Sequence, residues 1–316
     1  MTLASFLKYQ GEPRNVLVTG GSGFIGKRLV PILLSLNHRV TLFSRNIPRD
    51  AQCFGDAVQF VTDLSAIEAA ARFEVIINLA GEPLARQRWT AQRKMRFLQS
   101  RLAVTEALCQ LIERLERKPD LLINGSAIGF YGPHGSEPLD EAGAAVPSFS
   151  HELCRQWEEA ALKAERLGVR VCLLRIGIVL GRDGGPLAEL RRPFDCGVAM
   201  QIADGRQWMS WIHLDDVVAI ILYVMRNRAI SGAVNTVAPH PVSNAEFAYA
   251  LSAYLRTYAK VRVPAWLLRL VVGEMADEVL VTGQRVIPAK LQGVGFEFMH
   301  PSLPRALEDL VGPPIS

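Results

Sequence analysis

The chain has 316 residues, of which 49% are hydrophobic and 21% are charged, and its formal net charge is +4 at pH 7. These proportions are ordinary for globular proteins and exclude a disordered or fibrous chain. The length allows one large α/β domain or two smaller ones. The slight basic excess does not indicate nucleic acid or membrane, because enzymes that bind anionic ligands have the same balance.

Cysteine and histidine spacing excludes two other classes of site. The five cysteines form no C-x-x-C pair, so neither a disulfide framework nor a zinc site is expected. The six histidines show no H-E-x-x-H pattern, so no metal site is predicted. Residues 1–10 lack a signal-peptide pattern, and no apolar stretch reaches the roughly 20 residues that span a bilayer. We therefore expect a cytoplasmic protein with no membrane partner.

Strand and helix patterns alternate through the first 180 residues. Strands are predicted at residues 16–18, 39–43, 58–61, 75–79, 121–124 and 169–174, and the main helices at 24–36, 89–117 and 151–167. Strands separated by helices of this length form βαβ units and a parallel sheet. After Gly181 the pattern loosens into glycine-rich loops, followed by a helix at 215–226, a strand at 233–237 and two or three further helices after Ser243. The predicted fold class is α/β, with a doubly wound parallel (Rossmann) sheet and a smaller C-terminal α+β lobe.

Three glycines follow the first predicted strand with the spacing G-x-x-G-x-x-G. Gly20 permits a tight turn, Gly23 lets a pyrophosphate approach the backbone, and Gly26 lets the following helix pack on the sheet. The helix N-terminus that follows attracts an anion. The motif predicts a dinucleotide site.

The end of the second predicted strand indicates which dinucleotide binds. NAD enzymes place an acidic residue there to accept bonds from the ribose hydroxyls, but this chain has Ser44 and Arg45. A guanidinium cannot accept such bonds, whereas it suits a 2′-phosphate. This favours NADP(H) over NAD, the alternative being a surface arginine without a ligand.

Several motifs together resemble the extended short-chain dehydrogenase/reductase superfamily: Thr19-Gly-Gly-Ser-Gly-Phe-Ile-Gly, Asn78-Leu-Ala-Gly-Glu, Ser126 with Tyr131-Gly, and Trp211-Ile-His-Leu-Asp. Others resemble its atypical "epimerase family protein" subgroup: Arg88-Trp89, Ser100-Arg101, Cys154-x-x-Trp157-Glu158, Asn244-Ala-Glu-Phe and Gln284-x-Val-Ile-Pro. The resemblance runs from residue 15 to residue 311. It implies an NADP-binding Rossmann domain (14–240), in which 181–215 contribute to a substrate cleft, and a C-terminal substrate lobe (241–316).

The resemblance also implies where NADP(H) would bind. Ser44 and Arg45 would hold the 2′-phosphate, and Asp63 and Leu64 would flank the adenine. Together with the glycine loop, the implied set is Gly20, Gly23, Phe24, Ile25, Gly26, Ser44, Arg45, Asp63, Leu64, Leu79, Ala80, Gly81, Arg96, Arg101 and Val179.

The catalytic residues of the superfamily are incomplete in this chain. Its active members use a serine or threonine with a Y-x-x-x-K motif, in which the lysine lowers the pKa of the tyrosine. Ser126 fills the first place, but the motif reads Ser150-His-Glu-Leu-Cys154. Tyr131 is the nearest phenol and the candidate substitute acid, with His151 as an alternative. A packing role is the other interpretation of Tyr131.

Basic residues cluster between residues 86 and 101, but only Trp89 and Phe97 supply stacking aromatics, so nucleic acid is not the expected partner. Of this cluster (Arg86, Arg88, Arg93, Lys94, Arg96 and Arg101), Arg101 is the main cofactor candidate. The predicted function is an NADP-dependent oxidoreductase or epimerase-like enzyme acting on a small, nucleotide-sugar-like substrate. The alternative is an NADP(H)-binding sensor or scaffold without turnover.

Overall fold

The computed structural model describes residues 12–84 and 88–314. The predictions for residues 1–10 and for Arg86 lie outside this part of the chain. The strands are β1 (Asn15–Thr19), β2 (Arg39–Phe43), β3 (Gln59–Val61), β4 (Val75–Asn78), β5 (Leu121–Ala127), β6 (Pro138–Leu139), β7 (Arg170–Ile176), β8 (Ile178–Leu180), β9 (Val198–Ile202), β10 (Trp208–Met209), β11 (Trp211–His213), β12 (Gly232–Thr236), β13 (Val242–Ser243), β14 (Ala259–Val263) and β15 (Arg285–Val286). The α-helices are α1 (Phe24–Ser35), α2 (Ile47–Phe54), α3 (Ala91–Arg114), α4 (Phe149–Leu162), α5 (Gly185–Asp195), α6 (Leu214–Arg226), α7 (Asn244–Ser252), α8 (Ala265–Val272), α9 (Ala289–Gly293) and α10 (Leu303–Val311).

Seven strands form the central sheet in the order β12-β7-β5-β4-β1-β2-β3, and all of its pairings are parallel. The seven strands predicted from the sequence are the seven strands of this sheet. The predicted and observed strand ends differ by at most three residues, and the largest difference is at the end of β5. The predicted fold class is confirmed.

Alternation along the strands buries both faces of the sheet. Val16 and Val18 of β1 point to the hydrophobic cluster formed with α1 and α6, whereas Leu17 between them points to the cluster formed with α3 and α4. All three side chains have no exposed surface. Helices on both faces therefore define a doubly wound sheet.

The C-terminal part builds short two-stranded pairs with earlier segments. β14 pairs with β9, β13 with β10, and β15 with β6. These partners are far apart in the sequence, which is why local patterns predicted mainly loops between residues 181 and 213. The boundary predicted at residue 240 stays a prediction.

Two further features were not predicted. Helix α2 follows β2, where Asn46 caps it by accepting a hydrogen bond from the N–H of Arg49. A short π-helix, Ala276–Val281, follows α8. None of the helices in the described chain is long and apolar enough to cross a membrane.

Candidate functional site

The chain order reverses between the neighbouring central strands β1 and β4. β2 and β3 continue the sheet on one side, and β5, β7 and β12 on the other. Such a switch point opens a crevice at the carboxyl ends of the strands. The segments predicted to bind the cofactor follow the carboxyl ends of β1, β2, β3 and β4, so the fold gathers them at this one edge.

The glycine loop leaves no room for side chains at two of its positions. Gly20 has φ +71°, and a Cβ there would lie 2.5 Å from the carbonyl oxygen of Leu79. A Cβ on Gly26 would lie 2.5 Å from the Gly20 oxygen. Gly23 is exposed at the N-cap of α1, so its backbone is open to an approaching ligand.

Phe24 joins this loop to the segment after β8. Its ring lies against Gly181 and Gly185, where a Cβ would lie 2.6 and 2.7 Å from Cζ. Ile25, half-buried, packs on the core cluster beneath the loop. These contacts explain why glycine follows β8, and they hold the start of α1 in place.

The end of β2 presents Arg45 but not Ser44. Arg45 is exposed and makes no hydrogen bond or ion pair with any residue that the structure describes. Ser44 is 3% exposed, and its hydroxyl donates to Asp50 Oδ2 at 2.7 Å and accepts from the N–H of Asn46. The Ser44 hydroxyl therefore shapes the turn, and the expected bond from it to a 2′-phosphate does not fit this arrangement.

Arg49 is a residue that the sequence analysis missed. Its guanidinium donates to Ser22 Oγ in the glycine loop at 2.9 Å and to Asp50 Oδ1 at 2.9 Å. The guanidinium thus links the glycine loop to α2 beside Arg45. The sequence feature that could have identified Arg49 is its position four residues after Arg45, at the start of a helix that was not predicted.

A cavity of about 270 Å³ lies between the end of β3 and one face of α3. Asp63 accepts hydrogen bonds from the N–H and hydroxyl of Ser65, and these bonds lower the pKa of Asp63. Leu64 is 3% exposed and packs in the core. The lining residues are Phe43, Thr62, Asp63, Leu64, Ser65, Ala103, Val104, Ala107, Gln110 and Arg114.

Arg101 is a buried cation beneath the loop that follows β4. It is 8% exposed, and its guanidinium donates to the carbonyls of Phe97 and Glu82. It lies 5.1 Å from the centroid of the Trp157 ring and close beneath Gly81, where a Cβ would be 3.1 Å from Cζ. Burial lowers the pKa of Arg101, although a guanidinium stays charged at neutral pH.

The remaining predicted cofactor residues lie in different surroundings. Ala80 donates its N–H to Asn78 Oδ1, which orients the loop. Arg96 is exposed on α3. Val179 is 6% exposed in β8, where it pairs with Ile212.

A polar network between the ends of β1 and β4 and the middle of β5 was also missed. Asn78 accepts from the hydroxyl of Thr19 and donates to Thr105 and Asn124, at distances of 2.6 to 2.9 Å. Asn78 has no exposed surface. Buried amides require such partners, and here they fix the loop that carries Leu79 and Ala80.

Ser126 is held in a buried ionic network. Its hydroxyl donates to Glu158 Oε1 at 2.7 Å, and Glu158 forms an ion pair with Arg175 through two bonds of 2.9 Å. Ser126 is 4% exposed. Its hydroxyl proton is therefore already committed to a carboxylate.

Tyr131 belongs to the same network. It has no exposed surface, and its hydroxyl contacts Asn235 Oδ1 at 2.6 Å, the Asp140 carbonyl at 2.8 Å and Arg175 Nη1 at 3.1 Å. Burial raises the pKa of Tyr131, although Arg175 opposes this effect. In this structure protein groups enclose the phenol on all sides, an arrangement that fits the packing interpretation, and the role of Tyr131 as the acid stays a prediction.

The place of the absent Y-x-x-x-K motif lies on α4. Burial raises the pKa of Cys154 to about 11, so its thiol is protonated at neutral pH. The main-chain N–H groups of Phe149 and Ser150 both donate to the carboxylate of Glu278, from the π-helix. His151 Nδ1 lies 2.6 Å from the Phe130 carbonyl, which ties this ring to the fold.

The described part of the chain contains one cluster of three potential metal ligands whose ligand atoms all lie within 4.8 Å of one another. Its members are His213, His300 and Asp309. The two rings are stacked with centroids 3.8 Å apart, whereas an imidazole lone pair lies in the plane of its ring. His213 Nδ1 accepts from the N–H of Asp215, which leaves the proton on Nε2, 3.3 Å from Asp309. This geometry fits a stacked histidine pair better than a metal centre.

Comparison with known proteins identifies the family of the chain. The model of the NAD dependent epimerase/dehydratase family matches residues 16–237, and a domain of unknown function (DUF1731) matches residues 263–310. Epimerase family protein ML0860 of Mycobacterium leprae is 35% identical over 295 residues, covering 92% of this chain and 94% of the relative.

Two solved structures are similar over nearly the whole chain. Human epimerase family protein SDR39U1 (isoform 2), solved with NADPH, has a TM-score of 0.84 and 30% identity, covering 94% of this chain and 99% of that one. A nucleoside-diphosphate sugar epimerase from Corynebacterium glutamicum has a TM-score of 0.79 and 28% identity, covering 98% of this chain and 62% of that one. Motifs, fold and relatives agree, and the chain belongs to the NAD dependent epimerase/dehydratase family, among its members named epimerase family proteins.

Proposed function

We propose that this protein is an NADP(H)-dependent oxidoreductase or epimerase-like enzyme that acts on a small molecule. The observation that carries the proposal is the meeting of two features at one crevice. The glycine loop is open to a pyrophosphate at Gly23, and the unpaired Arg45 lies at the end of β2. The human relative solved with NADPH supports the same cofactor.

The residues at the crevice fit the parts of NADP(H). The glycine loop and the N-terminus of α1 would bind the pyrophosphate, and Arg45 with Arg49 would bind the 2′-phosphate. The 270 Å³ cavity would take the adenine. NADP(H), when bound, gives or accepts a hydride.

Arg101 would act on the cofactor through the loop above it. It has main-chain carbonyls but no carboxylate among its hydrogen-bond partners in the described chain, and the nearby Glu82 carboxylate forms its ion pair with Arg93 instead. A buried cation of this kind attracts an anionic ligand. We propose that it supports Gly81 against the cofactor and supplies positive charge near the place of the absent lysine.

A second candidate function is an NADP(H)-binding sensor without turnover. One observation favours it: Ser126 and Tyr131, the two predicted catalytic residues, are both tied into the buried Glu158–Arg175 network. The family relationship favours the enzyme, because nucleotide-sugar chemistry is named for the Corynebacterium relative.

Two measurements test these functions. Mass spectrometry of the nucleotide that co-purifies should find NADP(H) rather than NAD(H). Loss of absorbance from bound NADPH is then followed with a series of carbonyl compounds and nucleoside-diphosphate sugars. Turnover with any of them supports the enzyme, whereas tight NADPH binding without turnover supports the sensor. Failure to bind either dinucleotide would contradict both.

We also propose a cytoplasmic location. All five cysteines are free, and two of them, Cys53 and Cys196, are exposed. Exposed free thiols suit a reducing compartment.

A further inference from the structure

One segment of the chain combines positive charge with the absence of acidic residues. Residues 247–273 contain no aspartate or glutamate, but they contain Arg256, Lys260, Arg262 and Arg269. The segment covers most of α7, all of β14 and all of α8. We call it the basic apolar segment.

The same segment holds most of the exposed large hydrophobic side chains. Among the described residues there are ten such side chains, and seven belong to the basic apolar segment: Tyr249, Tyr258, Val261, Trp266, Leu267, Leu270 and Val271. Single exposed hydrophobic residues are normal on protein surfaces, but a concentration of them marks an interaction site.

Helix α8 is the centre of this surface. Trp266 and Leu270 lie one turn apart and are 65% and 66% exposed. Leu267 follows Trp266, and Val271 follows Leu270. These two residues are also four positions apart, so they lie on the same side of the helix as each other. Within α8, all of which the structure describes, no residue is buried. The helix therefore presents an apolar face without a partner in the described chain.

Two cations of β14, the strand that precedes α8, also have no ion-pair partner among the described residues. Arg269 forms an ion pair with Asp277, but Lys260 and Arg262 form none with any residue in the described ranges. Both line a groove of about 370 Å³ between β14 and α7, together with Tyr249 and Gln201. Two cations and one aromatic side chain thus line a groove on the elements that precede the apolar helix in the chain.

We propose that the basic apolar segment binds the surface of an anionic lipid bilayer. A helix with exposed Trp and Leu beside Lys and Arg inserts its apolar side chains among the acyl chains, while the cations contact the head groups. The protein would lie on the bilayer without spanning it. This revises the expectation of no membrane partner, which was based only on the absence of a spanning segment.

Charge and side-chain type favour a bilayer over other partners. In a symmetric dimer across this surface, Lys260 and Arg262 of both copies would approach each other with no acidic residue from the segment between them. A nucleic acid would use the cations and aromatic rings, but it would leave Leu267, Leu270 and Val271 without an apolar environment.

Vesicle binding tests the proposal. The purified full chain is mixed with phosphatidylcholine vesicles, or with vesicles that also contain phosphatidylglycerol, and bound protein is measured by flotation. We expect binding to the anionic vesicles only, weakening with added salt. The emission of Trp266 should shift to shorter wavelength on binding, and Trp266→Phe should remove this shift.

Variants separate the apolar and ionic contributions. Leu270→Ser with Trp266→Ser should lower the partition coefficient at least tenfold, because two large apolar side chains are lost. Lys260→Glu and Arg262→Glu should each lower it by roughly fivefold or more. Met95→Ser, an exposed methionine on α3, is the matched control and should bind as the wild type does. Circular dichroism and thermal melting verify that each variant is folded.

Three results would overturn the proposal. The first is wild-type protein that does not bind anionic vesicles. The second is a dimer by light scattering that dissociates on Leu270→Ser, without vesicle binding, since a second copy would then occupy the surface. The third is binding to an oligonucleotide but not to vesicles. None of these outcomes depends on whether NADP(H) binds.

Discussion

Arg175 and Glu158 form a fully enclosed ion pair, in which Nε and Nη2 each lie 2.9 Å from a carboxylate oxygen and both side chains are 6% exposed. The pair joins β7 to α4 and connects Ser126 to Tyr131. Removing one partner of such a pair leaves a buried charge without compensation.

Glu158→Gln should therefore destabilise the protein by about 3–5 kcal/mol. The measurement is the free energy of unfolding in urea. Glu152→Gln, which breaks an exposed ion pair with Arg155 on the same helix, is the matched control and should change stability little. Equal effects for the two variants would show that the Glu158 pair is not the anchor of this network.

Tyr131→Phe should lower stability while leaving NADPH affinity unchanged. The ring remains, but Asn235 and Arg175 lose their hydroxyl partner, which costs about 1–3 kcal/mol. Any turnover found in the substrate screen should also be unchanged. A fall in turnover of about 10² to 10⁴ without loss of stability would instead identify Tyr131 as the acid.

The glycine loop offers a graded test of cofactor binding. Gly23→Val places a side chain on the open side of the loop, where the nearest described atom, the Gly20 oxygen, is 3.0 Å from the Cβ. NADPH affinity should fall at least tenfold while the melting temperature changes little. Gly26→Ala should lower both, because its Cβ meets backbone oxygens.

Gly293→Ala is the control for both glycine variants, since a Cβ there meets nothing within 4 Å. It should leave NADPH affinity as in the wild type. Undiminished NADPH binding by folded Gly23→Val would remove the glycine loop from the site.

Cofactor preference tests Arg45. A charge-assisted hydrogen bond to a phosphate contributes roughly 1.5–3 kcal/mol, so NADPH should bind about 10- to 150-fold tighter than NADH. Arg45→Asp should reverse this preference, because the carboxylate repels the 2′-phosphate and accepts bonds from ribose hydroxyls. Titrations of the wild type and the variant with NADPH and with NADH measure the preference. The control is Arg39→Asp, at the other end of β2. Equal wild-type affinities would mean that Arg45 takes no part.

Acidification should destabilise the protein through two buried histidines. Burial lowers the pKa of His38 and of His213 to about 4 in each case, from the ordinary 6.5. Between about pH 4 and pH 6.5, the unfolded chain therefore binds more protons at these histidines than the folded protein does. Stability is therefore full above about pH 6.5 and falls as the pH decreases towards 4, by up to about 1.4 kcal/mol per pH unit for each histidine.

His213→Asn isolates one of these contributions. Asparagine can accept the hydrogen bond from the N–H of Asp215 and keep the cap of α6, but it does not titrate. Urea unfolding at several pH values should show a shallower decline for this variant. His240→Asn, at an exposed position, controls for the loss of a histidine. An unchanged decline in His213→Asn would contradict the buried-histidine explanation.

Features encoded by neighbouring residues could be read from the sequence. The glycine spacing from Gly20 to Gly26 sets the turn and the helix start by local backbone geometry, and it is found as predicted. Alternating apolar residues in β1 specify a strand buried on both faces, because side chains of a strand point to opposite sides. Arg45 is the second residue after the end of β2, so its place at the carboxyl edge of the sheet was predictable as well.

Other properties arose only when distant segments packed together. Tyr131 and Asn235 are 104 positions apart, and no local pattern predicts that their side chains share a hydrogen bond in the core. Glu278 caps α4 from a position 129 residues beyond Phe149, and no local pattern predicts this partner. A motif specifies which residue type stands at a position. Whether its polar atoms face a ligand or a buried partner is decided by tertiary packing, since most buried polar groups find a hydrogen bond within the folded protein.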